Sequence, residues 1–272
     1  WYNMKWLALF FLTPIALISF SLEPWFTPLA EFQFRPSYAY EHYPSVAQGK
    51  NPTRYSSNNH LIGLNLGVSF WPNWDAEIEG DFSRTRELNW QAQKIGLQLR
   101  YLLLDDVAGD PVSLAVGGQL FFVPTRNMRD VSSPYHSQGN AQLGLSIGKE
   151  IDQIFQWKWR FWGYVGAGIA NRGAPWLRPL IALEGKFYHR HVLQLTGEGY
   201  VGFGGRHRVD IAQMDGYANI SHRSIDVGLR YTYLIPIWGD LSFKYGFRPY
   251  SHAFPKYLSC FLIEYRFPFS IF

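Results

Sequence analysis

Two groups of residues in this chain have the types and spacing to do chemistry. One is the pair His136-Ser137 within Tyr135-His136-Ser137-Gln138-Gly139-Asn140, an imidazole beside a hydroxyl, the groups from which a base and a nucleophile are made. The other is a set of charges at alternating positions: Glu77, Glu79 and Asp81 in one run, and Arg100, Lys186, Glu198, Arg230, Lys244, Arg248 and Glu264 in later ones. Acids and bases nearly balance. Enclosed together they would either pair and stiffen their surroundings or line a polar passage and set its charge preference. Metal chemistry is not indicated. His42, His60, His207, His222 and His252 stand apart, His189 and His191 offer at most two ligands from one turn, and the lone Cys260 excludes a paired-cysteine cluster or a disulfide framework. No cofactor is expected, and nothing in the pattern points to nucleic acid.

Those charges need elements to hold them on one face, and the chain supplies a period of two. Ile62, Leu64, Leu66, Val68 and Phe70 alternate with Gly63, Asn65, Gly67 and Ser69, and Ala76, Ile78 and Phe82 with Glu77, Glu79, Asp81 and Ser83. Alternation puts successive side chains on opposite faces of a strand. About twelve such runs follow one another from Phe32 to Phe269, each close to the roughly 9 to 11 residues of a tilted bilayer-crossing strand. The whole chain has 272 residues, 18% aromatic and 17% charged, with a mean hydropathy of −0.15, too polar for a bundle of membrane helices. The links alternate in length. Short turns stand at 71–74, 105–110, 151–156, 188–191 and 236–240, and the longest connections at 44–59, 124–140 and 204–222.

Met4-Lys5 opens an apolar run that ends at Ser19-Phe20-Ser21, the pattern of a cleavable secretory signal. The expected division is upstream residues and signal peptide over 1–21, a periplasmic N-terminal arm over 22–30, and a transmembrane barrel over 31–272.

A soluble sandwich or lipocalin-like cup also alternates, but about twelve strands enclose too wide an interior to fill with apolar side chains alone. The polar face here carries Gly, Ser, Gln and both signs of charge, which suits a lumen. Trp71, Trp74, Trp157, Trp159 and Trp238 gather at the short-turn ends, as an interfacial aromatic girdle would. On these residues the chain resembles bacterial outer-membrane β-barrel proteins of the porin type over 29–272. The resemblance implies an all-β antiparallel barrel in the outer membrane, with short periplasmic turns and longer extracellular loops. It implies outer-membrane lipid partners and reading of the C-terminal strand near Phe269, Ile271 and Phe272 by the barrel-assembly machinery, and the basic patch Arg206-His207-Arg208 is expected to meet the phosphates of outer-leaflet glycolipid.

Three functions follow as expectations. The first is a pore for small solutes whose constriction is built from the inward charges, with Arg100 beside Glu79, Glu264 near Lys244 or Arg248, and space left by Gly63, Gly67, Gly96, Gly117, Gly144, Gly166 and Gly168. The second is a lipid hydrolase of the phospholipase or lipid A deacylase type, using His136 and Ser137. Adjacent residues on a strand face opposite ways, so that pair would need a loop conformation. The third is a barrel that only displays its loops.

Overall fold

The structure is a computed structural model that describes residues 20–153 and 157–270, with the side chains of 152–158 outside the description. Most of the proposed signal segment, the side chain of Trp157, and Ile271 and Phe272 therefore lie outside the described residues. Each alternating run becomes a strand: β1 (Glu31–Tyr43), β2 (Ser57–Trp71), β3 (Trp74–Arg84), β4 (Gln91–Leu104), β5 (Ser113–Phe122), β6 (Gly139–Gln153), β7 (Trp157–Ala170), β8 (Trp176–Phe187), β9 (His191–Gly202), β10 (Arg223–Ile235), β11 (Gly239–His252) and β12 (Ser259–Ser270). The described residues form one closed antiparallel barrel in which every strand pairs with its neighbours in sequence. β1 closes the circle on β12, with Phe32 opposite Phe269.

Period two decides what each face meets. Outward positions are apolar and bare, with Leu143 at 74% and Ile181 at 70% exposure, whereas Glu79 on the inner face is 2% exposed. A band of exposed Leu, Ile, Val and Phe this extensive is costly in water and favourable in lipid. Trp71 and Trp238 are exposed at the short-turn end, and Trp74 packs on Tyr101 with ring centroids 4.9 Å apart. At the opposite end His60 lies among Tyr38, Tyr40 and Trp90. The Trp71-Pro72-Asn73-Trp74 link is tight because Asn73 adopts φ 65°, a left-handed conformation that asparagine tolerates well.

At the long-loop end the connections fold inward on one another. Val46 pairs with Pro255, and Gly49 and Lys50 with Val209 and Asp210, stitching three loops together. Tyr43, Val46, Tyr55, Val131, Met214, Tyr217 and Phe254 form an apolar core continuous with Ala39, Leu61, Cys260 and Leu262 of the wall. Tyr217 donates its hydroxyl to the Val131 carbonyl at 2.8 Å, so a buried polar group is satisfied and two loops are tied. The loops thus cap the outer mouth.

Candidate functional site

Ten lumen residues were expected from sequence, namely Glu77, Glu79, Asp81, Arg100, Lys186, Glu198, Arg230, Lys244, Arg248 and Glu264, and all stand at inward positions. Their pairing differs from the expectation in two places. Arg100 lies opposite Asp75 in the β3–β4 register and binds it at 2.8 Å, with Glu77 at 3.7 Å, and does not reach Glu79. Glu79 and Asp81 are instead bridged by Lys94, the latter at 3.3 Å. Lys94 has the same parity as Gln98 and Arg100, and was missed because β4 begins earlier than Ile95. Glu264 pairs with Arg230 from β10, not with Lys244 or Arg248. Lys244 faces Leu262 across the ladder, while Arg248 holds Asp226 with two hydrogen bonds of 2.7 and 2.9 Å. Arg35–Glu77 at 2.5 Å, Arg160–Glu150 at 2.7 Å, Arg178–Glu198 at 2.5 Å and Arg266–Asp240 complete the wall.

Gly96, Gly117, Gly144, Gly166 and Gly168 do not leave the space expected of them. A Cβ on Gly144 or Gly166 would collide with Tyr164, and one on Gly168 with Trp176, because those rings lie flat on the wall where the glycines make room. A Cβ on Gly117 would come within 2.8 Å of the Arg100 stem.

Gly96 and Gly148 make room for something else. The segment after residue 20, expected as a periplasmic arm, runs inside the barrel. Phe20 lies over Gly96 and stacks on Phe121, and Pro24 and Trp25 lie over Gly148. The wall reads the arm's backbone: Gln98 donates to the Ser21 carbonyl at 2.8 Å, Arg100 to that of Glu23 at 2.7 Å, and Ser146 to that of Leu22 at 2.6 Å. Trp25 donates to Asp106 in the β4–β5 turn at 2.9 Å, and the guanidinium groups of Arg100 and Arg160 sit 4.7 Å over Phe26 and Trp25. Charged donors to carbonyls and cation–π contacts in an enclosed space are among the stronger polar interactions available. The arm enters at the short-turn end, where Ala30 donates to the Ser69 carbonyl at 2.8 Å.

The arm covers the acidic side of the lumen and leaves the opposite wall free. There a cavity of about 400 Å³ runs from Arg178 near mid-lumen to the Asp240–Arg266 pair. A second, of about 340 Å³, shares Leu234, Asp240 and Arg266 with it and reaches the turns at His189-Arg190 and Pro236-Ile237. A third, of about 90 Å³, lies beneath the loops among His136, Trp176, Tyr200 and Phe254. Phe20 and Arg178 border both this space and the first.

His136 is buried in that loop core. Its ring stacks on Trp176 at 4.0 Å between centroids and lies 5.0 Å from that of His222. Burial among apolar rings holds both imidazoles neutral, with His136 lowered to about 2 and His222 to about 4. Ser137 is turned elsewhere. Its hydroxyl accepts from Arg172 at 3.1 Å and its backbone exchanges two hydrogen bonds with Asn140. The two side chains share no hydrogen bond, so the arrangement expected of a base and its nucleophile is not formed.

No family profile and no curated sequence matches the chain. Its structure is similar to that of an outer-membrane channel from Pseudomonas putida F1, with a TM-score of 0.56 and 12% identity over 89% of this chain and 97% of the other. It is similar also to the NanC porin, at 0.53 and 10% over 87% and 98%, and to the KdgM porin, at 0.51 and 10% over 86% and 99%. At such identities the likeness establishes the fold: this is a closed twelve-stranded barrel of the kind on which bacterial outer-membrane channels and porins are built.

Proposed function

We propose that the chain is an outer-membrane channel for small solutes that rests closed. The observation that carries this reading is the string of cavities running from the short-turn mouth to the loop cap, interrupted at Phe20 and Arg178. A barrel that served only to anchor loops would gain nothing from an ion-paired lumen with space in it, since removing charges from water is costly. The arm and the loop cap then act as the two closures. The arm is held by hydrogen bonds and cation–π contacts that a solute or a change of state can exchange, and the cap by an apolar core. Export by a leader whose cleavage falls ahead of Phe20, so that Phe20 and Ser21 stay in the lumen, contact of the apolar band with outer-membrane lipid, of Arg206, His207 and Arg208 with outer-leaflet glycolipid, and of the last strand with the assembly machinery belong to the same proposal.

Liposome swelling tests it. Refolded protein should admit small sugars or amino acids slowly, and a variant whose arm anchors are weakened by Gln98→Leu and Ser146→Ala should admit them several-fold faster. Absence of swelling from both folded proteins would leave a loop-displaying barrel as the better account.

A further inference from the structure

Every lumen arginine with an ion pair above is neutralised by a carboxylate one or two strands away, but Lys186 and Lys244 are not. Both face the 400 Å³ cavity, and among the described residues neither has a carboxylate within ion-pair distance. The register explains why. Lys244 lies directly opposite Arg230 on β10 and Leu262 on β12. Arg230 takes Glu264, Glu198 on β9 is held by Arg178 at 2.5 Å, and Glu184 on β8 lies 3.6 Å from Arg160. A like charge directly across a ladder is unfavourable, and a charge away from bulk water requires a partner. Lys186 stands one inward row nearer the mouth, opposite Val192. The cavity is also the side of the lumen from which the arm holds back the acidic run on β3.

We propose that this cavity is a binding site for a small organic anion carrying a carboxylate or phosphate, with Lys244 as its principal contact and Lys186 as the group met on entry from the short-turn mouth. The volume lies within the roughly 300 to 1,000 Å³ typical of small-molecule sites. Around the two ammonium groups Gln194, Thr196, Thr232 and Ser242 supply neutral hydrogen-bonding groups, as the polar body of such a solute requires. The assignment rests on the channel reading for its purpose but not for its test, because binding is read without conductance.

Trp25 and Trp162 line the cavity and report on it. Refolded protein in a zwitterionic detergent is titrated separately with inorganic phosphate and with succinate, and tryptophan fluorescence is followed, with tetramethylammonium as the cationic control. At least one anion should give a saturable change that the cation does not. Lys244→Gln should weaken it at least tenfold, Lys244→Arg should retain it, and Arg206→Gln with Arg208→Gln, on the outer loops, should leave it unchanged. Should Lys244→Gln fail to fold, Lys186→Gln removes the second charge and should weaken binding severalfold. No saturable response to either anion, or one that survives Lys244→Gln, or one lost with the loop arginines, would overturn the proposal. A protein that binds but never conducts would keep the site and lose the channel.

Discussion

Gly168 shows how far single residues can be read. Its parity places it on the inner face, and a missing side chain there suggests empty space, yet the Trp176 ring occupies it and donates its indole N–H to Gln142 at 3.0 Å. Which large neighbour lies across a glycine is settled by the packing of adjacent strands, information that no single run of sequence holds. Replacing Gly168 by Val forces Trp176 off the wall and should cost about 1 to 3 kcal/mol, as overpacked cores do. A urea titration of the refolded barrel checks this, and an unchanged midpoint would show the ring to be free to move. Arg100 teaches the same lesson. Its inward direction was legible from parity, but its partner depended on a register that places Asp75, not Glu79, across from it.

At the scale of elements, strands were legible because a half-lipid, half-polar environment imposes period two along β1 to β12, broken only locally where the ladders shift register, as between Asp81 and Phe82. The arm and the cap were not. Leu22 and Trp25 follow no period, and Val46, Val131, Tyr217 and Phe254 are isolated apolar residues in four separate loops that become a core only when the loops meet. The cap carries a pH dependence. His136 and His222 bind protons less readily folded than at their ordinary value near 6.5, so the unfolded state takes up more protons. Their contribution to stability is complete above about pH 6.5 and declines as pH falls towards about 4 for His222, by up to about 1.4 kcal/mol per pH unit for each imidazole. Hydrogen exchange over 125–138 and 211–222, corrected for intrinsic rates, should therefore accelerate between those values. A His136→Phe, His222→Phe variant should not respond, and equal protection of the unmodified cap at pH 7 and 4.5 would contradict the account.

In the whole molecule, both signs of charge are paired around the lumen wall, with the densest acidic run on one side and the two cavity lysines, without an ion pair among the described residues, on the other. Asp75, Glu77, Glu79 and Asp81 lie together on β3 against the arm, and Lys186, Arg230 and Lys244 face the cavity on the opposite wall. The arm runs between the two and the loops pack together over the far end, the arrangement on which the proposed closed resting state stands. The most direct test is single-channel recording in planar bilayers of the refolded protein beside a variant lacking residues 22–27. The unmodified protein should stay mostly shut with rare brief openings, and the variant should show steady, discrete conductance steps. Silence from both, with each barrel shown to be folded by its resistance to detergent unfolding, would contradict the channel. Continuous conductance of equal size from both would contradict closure by the arm.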